Sequence, residues 1–435
     1  MKRADIILSG EFVITDPHIH PLRDAAVVIC GGHIEEVAGR DEIFMKYTAG
    51  TVIERSSGLV MPGLLNAHTH IPMTLFRGLA DDLPLRVWLE EHIFPREARL
   101  TPELIRLGTE LGLAEMIRSG TTSFIDMYLF EDHICEVVDR VGLRAWLGEG
   151  LFDFPSPSFA SGFDALKETE RLLEKWKTHP RISITVDPHT PYTCSPELLR
   201  AARSLWERHG EAMLVIHVAE TSWEAEEIRR RYGKDPITHL DDLGLLTEQT
   251  MAVHVVHPSE DGMEILKARG VKVVHCAESN LKLASGIAPI PRMFDTGIEV
   301  LIGTDGAASN NNLDMLEEMG TVARLHKGVE CDPTTLPARQ VLSMATEMAG
   351  KAMGIQGLGQ LVPGAPADVI CVELDAPHLR PCYNPVSQVV YCASTGDVRD
   401  VICDGQLLME DFQLKTIDEE ALIQRIKELA KGFIT

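Results

Sequence analysis

Eight short apolar runs of strand-like composition recur through the middle of this 435-residue chain, most of them separated by long helical patterns. They are "LVMPGLLNAHTH", "TTSFIDMY", "LRAWLGEGL", "ISITVDPHT", "MLVIHVAE", "MAVHVVH", "VKVVHCAESN" and "VLIGTDGAAS". Segments such as "PELIRLGTELGLAEMIRSG" and "FDALKETERLLEKWKTH" supply the helices between them. A chain that alternates strand and helix builds a parallel sheet, because each crossover returns the next strand in the same direction. Eight such units over about 300 residues fit a closed (β/α)8 barrel of the TIM type. An open doubly wound sheet is the alternative. No Gly-x-Gly-x-x-Gly follows a strand and no Walker-type lysine loop is present, so the nucleotide-phosphate folds lose support.

The two ends read differently. "ADIILSG", "EFVITD", "AAVVICGGHIEEVAG" and "TVIERSSGLVMPG" are β-branched runs broken by Gly, Asp and Pro, and "ADVICVELD" and "VRDVICDGQLLMED" repeat that style near the C-terminus. The chain is therefore expected to be α/β. A small β-sandwich domain would form from residues 1–60 and 363–435, and the barrel would occupy residues 61–362. The tail "DEEALIQRIKELAKGF" places Leu422, Ile423, Ile426 and Leu429 at helical spacing and closes the chain as a helix.

Several function classes are excluded at this level. A net charge of -24 repels phosphate backbones, so nucleic acid is not the expected partner. No apolar run approaches the roughly 18 residues of a membrane span, and "MKRADIILSGEFVIT" reads as a strand instead of a signal peptide. Nine scattered cysteines, an odd number, suggest reduced thiols and a cytoplasmic setting.

Polar residues gather where barrel chemistry is built, at the C-terminal ends of strands. His68 and His70 end the first run, and a His-x-His pair puts two imidazoles on one side of a strand. His18 and His20 have the same spacing but lie between prolines in "DPHIHP", a solvated turn. "LVIHVAET" supplies His217 and Glu220, "AVHVVH" supplies His254 and His257, "TVDPHTPYT" supplies His189 and "LIGTDGAASNNN" supplies Asp305. One buried histidine is ordinarily a hydrogen-bonded core residue. Several strands all ending in His or Asp call for a common partner, since unpartnered buried polar groups are costly. His68, His70, His217 and Asp305 are assigned as ligands of one divalent metal, with Zn2+ favoured and Fe2+, Ni2+ or Co2+ also suited to these donors. Such a metal activates a water, Glu220 moves protons, His254 orients the water, and Asp305 can both ligate and accept the water's proton. No Cys-x-x-Cys occurs, which removes the cysteine-rich zinc deaminases; Cys276 reads as packing or substrate wall.

These residues resemble a known family. "PGLLNAHTH", "VIHVAE", "HCAESNLKLASGIAPI" and "GTDGAASNN" look like the amidohydrolase superfamily, in its branch of 5-methylthioadenosine/S-adenosylhomocysteine deaminases, and the resemblance covers essentially the whole chain. It implies one metal on His68, His70, His217 and Asp305. It implies that Glu220 carries a proton from the water to a ring nitrogen of adenine, with His254 on the same water and ammonia as product. Glu97 in "FPREARLT" matches a carboxylate that holds ribose hydroxyls, His189 a substrate contact, and Trp88 part of a lid over the 5' side. A small nucleoside is then the expected partner, and a homo-oligomer is common in such barrels.

One departure stands out. Members that accept S-adenosylhomocysteine carry an arginine where this chain has Glu149, and a second arginine near "SPSFASGFDAL" also has no counterpart. A glutamate there is expected to repel the amino acid's carboxylate, which favours methylthioadenosine, 5'-deoxyadenosine or adenosine. Three rival functions remain. The same site can serve guanine, pterin or s-triazine rings, for which a ribose clamp at Glu97 has no use. A catalytically inactive scaffold has no reason to keep all five of His68, His70, His217, Glu220 and Asp305. Cyclic-amide hydrolysis usually needs a lysine that "ISITVDPHT" lacks.

Overall fold

The computed structural model describes residues 1–210 and 212–433. Its strands run in chain order as β1 Lys2–Val13, β2 Leu22–Cys30, β3 His33–Gly39, β4 Tyr47–Pro62, β5 Leu64–Thr69, β6 Thr121–Tyr128, β7 Arg144–Leu151, β8 Ile182–Ile184, β9 Asp187–Pro188, β10 Leu214–Val218, β11 Thr250–His254, β12 Lys272–His275, β13 Val300–Ile302, β14 Val369–Glu373, β15 Val398–Cys403, β16 Gln406–Glu410 and β17 Gln413–Leu414.

Strands β5 to β13 form the barrel. They pair in parallel as β5-β6-β7-β8 and β10-β11-β12-β13, with β9 continuing the line of β8 against β7. A parallel bridge from Val186 to Leu214 joins the two arcs. The Asp305 N–H, donating to the His68 carbonyl at 3.0 Å, closes the ring. Period-two alternation separates the two faces of these strands. Leu65, Ala67, Ile125, Met127, Val215, Met251, Val253, Val274 and Leu301 fill the interior, with Ala349, Met353 and Leu358 as its floor. Leu64, Phe124, Leu147, Ile216, Ala252, Val273 and Val300 face the helices. Cys276 belongs to the interior packing, so the packing alternative holds for it.

The termini build one eight-stranded sheet in the order β17-β16-β15-β14-β4-β1-β2-β3. It curls over its own face: Val27 and Ile29 of β2 share a cluster with Val369 and Cys371 of β14. Alternate residues Leu59 and Met61, with Ile370 and Val372, pack towards the barrel instead. Arg144, nearly fully buried at the start of β7, bridges Asp368 at 3.3 Å and Asp404 at 3.1 Å and ties the two parts together. The first apolar run divides between the two: β4 carries the sheet on to Pro62, two residues past the expected boundary, and the barrel strand starts at Leu64. The closing helix spans Glu419–Phe433. Leu422 is buried, but Ile423 is 38% exposed and lies off the packed stripe. All nine cysteines are unpaired. Among the described residues no helix is long and apolar enough to cross a membrane.

Candidate metal and substrate site

A bulge aims the first histidine pair. From Asn66 to Thr69 strand β5 advances three residues while its partner advances two, Phe124 to Asp126. An extra residue reverses the alternation. Leu65 and Ala67 point inward below the bulge, and His68 and His70 point inward above it. Asp126 secures the end of the strand: its Oδ1 accepts the Thr69 hydroxyl at 2.5 Å and the Ile71 N–H at 2.6 Å. His217 continues the inward register of Val215 without a bulge. Asp305 and His254 reach the rim with φ of +65° and +73°. Ala219, just before Glu220, has φ +54°. Left-handed conformations cost about 1 kcal/mol or more at non-glycine residues, and such strain concentrates at functional sites.

The donor atoms converge. His68 Nε2 lies 3.0 Å from His217 Nε2 and 3.6 Å from Asp305 Oδ1, and His70 Nε2 lies 3.3 Å from the same oxygen. Ligands held at about 2.1 Å from one ion stand roughly 3–3.5 Å apart, so this spacing fits one first-row cation. The opposite ring nitrogens fix the tautomers. His70 Nδ1–H donates to the Met127 carbonyl at 2.5 Å and His217 Nδ1–H to the His189 carbonyl at 2.9 Å, which leaves each Nε2 lone pair for the shared centre. Asp305 Oδ2 accepts Ser279 Oγ at 2.6 Å and Ser309 Oγ at 2.8 Å, so its other oxygen faces the histidines.

The charge pattern agrees. Burial, then the neighbouring histidines, hold His217 well below the ordinary range, and burial takes His68 down to about 4. Burial opposes a proton on His70 as well, but the Asp305 carboxylate overrides it and lifts His70 to about 9. Below that value His70 holds a proton that a metal must displace. Metal affinity is therefore expected to rise with pH, by about tenfold per unit towards pH 9. Cobalt titrations at pH 6.5, 7.5 and 8.5 test this; equal affinities would contradict it.

Gly303 allows the close approach that closes the ring at this point. A Cβ there would stand 2.7 Å from the His68 nitrogen and 2.9 Å from its Cβ. Gly303→Ala is expected to displace His68, destabilise the protein by roughly 1–3 kcal/mol and lower the bound metal below one equivalent. Metal analysis with thermal unfolding reads both, and full metal content would contradict the expectation.

Around the ligands lies a cavity lined by His70, Trp88, Glu97, Tyr128, His189, His217, Glu220, His254 and Asp305, with Phe94, Phe152 and Leu283 among its apolar walls. Glu220 Oε1 accepts Ser285 Oγ at 3.3 Å, and its Oε2 lies 3.9 Å from His254 Nε2. Burial, then the charge of Asp305, pushes Glu220 up to about 8. Asn280 donates to His254 Nδ1 at 3.0 Å, which places the histidine's own proton on Nε2, facing Glu220. Glu97 ends a short helix, Phe94–Glu97, and accepts the Tyr128 hydroxyl at 2.8 Å. The segment before it is a π-helical turn, Trp88–Ile93, with Trp88 buried on the cavity wall. His189 Nδ1 pairs with Thr193 Oγ1 at 2.9 Å.

Nine of the ten singled-out residues thus fall at one rim; His257 is exposed and pairs with the Ser285 carbonyl at 2.6 Å instead. His18 and His20 also lie elsewhere: both are exposed, and His18 faces Glu347. Glu149 corrects the sequence expectation. The residue is 1% exposed; its carboxylate accepts the Phe130 and Glu131 N–H groups at 3.2 and 2.9 Å and Ser158 Oγ at 2.5 Å, and it lines neither the cavity nor its mouth. It caps the helix Glu131–Val141 and is turned away from the cavity in which a substrate carboxylate would sit. Sequence reasoning passed over Asn280, Ser279 and Ser309, which hold His254 and Asp305. It also passed over Glu224, whose carboxylate accepts the Ala219 and Glu220 N–H groups at 2.8 and 2.9 Å and fixes the turn that carries Glu220. The available signal, for Glu224 and Ser309, was a polar residue soon after a candidate ligand; Ser279 and Asn280 follow β12, whose last residue, His275, is not a candidate ligand.

A parallel barrel with a His/His/His/Asp cluster and a buried carboxylate at its C-terminal rim defines a metal-dependent hydrolase class. The chain belongs to the amidohydrolase family, whose family model matches residues 59–408. It is 47% identical over 432 residues to a 5-methylthioadenosine/S-adenosylhomocysteine deaminase of Syntrophobacter fumaroxidans, covering 99% of this chain and 98% of that one. It is 45% identical over 434 residues to a 5'-deoxyadenosine deaminase of Methanosarcina mazei, covering 99% of each. The crystal structure of an adenosine deaminase from Xanthomonas campestris with bound zinc superposes with a TM-score of 0.96 at 36% identity, again over 99% of each chain. The donor set and this kinship together point to a divalent metal.

Proposed function

We propose that this protein hydrolytically deaminates the adenine ring of 5'-modified adenosines, giving the inosine analogue and ammonia, with zinc as its metal and the cytoplasm as its setting. 5'-Methylthioadenosine, 5'-deoxyadenosine and adenosine are the substrates expected first. The observation that carries this reading is Glu97, a buried carboxylate on the wall of the cavity that Glu220, His254 and the histidine cluster share.

His68, His70, His217 and Asp305 hold the metal, which when bound supplies Lewis acidity that brings a water's pKa towards neutrality. Glu220 accepts the water's proton and delivers it to a ring nitrogen of adenine, which makes the adjacent carbon electrophilic. The His254 Nε2–H lies on the same side as Glu220 and stabilises the oxygen that adds to that carbon. The added hydroxyl then gives its remaining proton through Glu220 to the amino group, and as its oxygen becomes the ring carbonyl the C–N bond breaks and ammonia leaves. Trp88 and Phe94 line the cavity and exclude bulk water, and His189, on the same cavity's lining, contacts the base.

Glu97 accepts two ribose hydroxyls, a pairing that a free purine or a triazine cannot use. Its Tyr128 hydrogen bond occupies Oε1 and leaves Oε2 for the sugar. Glu97→Gln is expected to lower kcat/KM for methylthioadenosine roughly hundredfold, from the loss of charge-assisted bonds. Steady-state kinetics on the nucleoside and on 9-methyladenine test this. Equal losses on both would assign Glu97 a structural role and open the site to a free ring.

A further inference from the structure

Asp305, His254 and Glu220 follow three different barrel strands, yet one segment reaches all of them. Ser279 Oγ donates to Asp305 Oδ2 at 2.6 Å, Asn280 Nδ2 to His254 Nδ1 at 3.0 Å, and Ser285 Oγ to Glu220 Oε1 at 3.3 Å. Ser279 and Asn280 lie on the helix Ala277–Lys282, and the Ser285 N–H donates to the Asn280 carbonyl at 2.9 Å, which folds the end of the segment back onto that helix. Leu283, in between, lines the cavity. A shift of this short helix therefore moves the partners of all three side chains together.

A helix of six residues has little stability of its own, because nucleation costs more than so few bonds return. Its first N–H groups also need acceptors, and the N-cap residue, Cys276, offers no side-chain bond. Glu318 supplies one from the long helix Met315–Glu330. Its Oε1 accepts the Ala277 N–H at 2.6 Å and the Glu278 N–H at 3.3 Å. One turn further along, Thr321 donates to the Glu278 carboxylate at 2.7 Å. Glu318 is fully buried and does not line the cavity. Burial, then the charge of Glu278, holds its carboxyl well above the ordinary range, so a neutral acceptor of the same shape can serve in its place. Glu224 grips the Ala219 and Glu220 amides in the same manner.

On the deamination reading above, we infer that Glu318 is a positioning residue for proton transfer: from outside the cavity it fixes the helix Ala277–Lys282 and, through Ser279 and Asn280, the orientations of Asp305 and His254. Asp305 keeps a second tie to Ser309 at 2.8 Å, so the metal ligands stay in place when Glu318 is replaced, and the loss falls on the chemical step.

Steady-state kinetics and metal analysis are compared for the metal-loaded wild type, Glu318→Leu, which fills the space but accepts no hydrogen bond, and Glu318→Gln, which keeps a carbonyl oxygen. In Glu318→Leu kcat for methylthioadenosine is expected to fall roughly ten- to hundredfold, with KM and bound metal nearly unchanged, and Glu318→Gln is expected to recover most of the loss. Asn280→Ala is expected to lower kcat as well, and its combination with Glu318→Leu to lose less than the product of the two, because both act on His254 through one helix. Glu318→Asp, which draws the acceptor back by one methylene, replaces Glu318→Leu should the latter not fold, and the same split is expected of it. An unchanged kcat, a loss that Glu318→Gln does not relieve, or losses that multiply in the double variant overturns the assignment. A wild type that turns over another ring and no adenosine overturns the deamination reading alone, since the same split is then measured on that ring; silence on every ring overturns both.

Discussion

Glu220→Gln is expected to lower kcat roughly 10³-fold while leaving one equivalent of metal bound and KM nearly unchanged. Glutamine keeps the shape of the side chain and can still accept the Ser285 hydroxyl, but it cannot take a proton from water and pass it to the ring. Its position explains the selectivity of the loss. Glu220 faces His254 and the cavity, while Glu224 separately holds the Ala219 and Glu220 amides, so the backbone stays in place when the carboxylate is neutralised. Kinetics combined with metal analysis check the result. A loss below about tenfold would move the proton transfer to another group, and Asp305 is a cavity carboxylate in direct reach of the histidines.

Removing the metal is expected to abolish turnover, by at least about 10³-fold, and to lower the unfolding temperature. Three imidazoles and a carboxylate are packed within contact of one another, and His68 Nδ1 is buried without a hydrogen-bond partner. Without a cation the cluster depends on a proton held between His70 and Asp305, an arrangement that burial penalises. Zinc is expected to restore activity to chelator-treated protein, and cobalt, nickel and iron(II) to do so to differing degrees, because nitrogen and carboxylate donors suit all four. Activity that survives complete chelation, confirmed by elemental analysis, would contradict the ligand assignment.

The barrel and the convergence of the candidate ligands were legible in the sequence because both rest on local patterns. TTSFIDMY is β6 from end to end, and His217 follows Val215 in strict alternation. His68 was found through its spacing from His70, although alternation from Leu65 and Ala67 alone would have turned it outward; the bulge that reverses the register depends on how β5 meets β6. Glu149 failed for the opposite reason. Its position in the chain matched a substrate-facing residue, but its side-chain direction was set by the free N–H groups of Phe130 and Glu131, which only the packed structure brings into reach. Likewise, Asn280 and Ser279 lie on the short helix Ala277–Lys282, and their bonds to His254 and Asp305 join residues 26 positions apart.

Whether this rim deaminates an adenine ring attached to a ribose is decided by one spectrophotometric assay. Zinc-loaded protein is given methylthioadenosine, 5'-deoxyadenosine, adenosine, guanine and a chlorotriazine in parallel, with the adenine-to-hypoxanthine absorbance change and ammonia release as readouts. Turnover of the nucleosides with stoichiometric ammonia is expected, and none of guanine or the triazine. Turnover of guanine or the triazine with silence on every adenosine would contradict it, leaving the metal site in place and Glu97 without a ribose to hold.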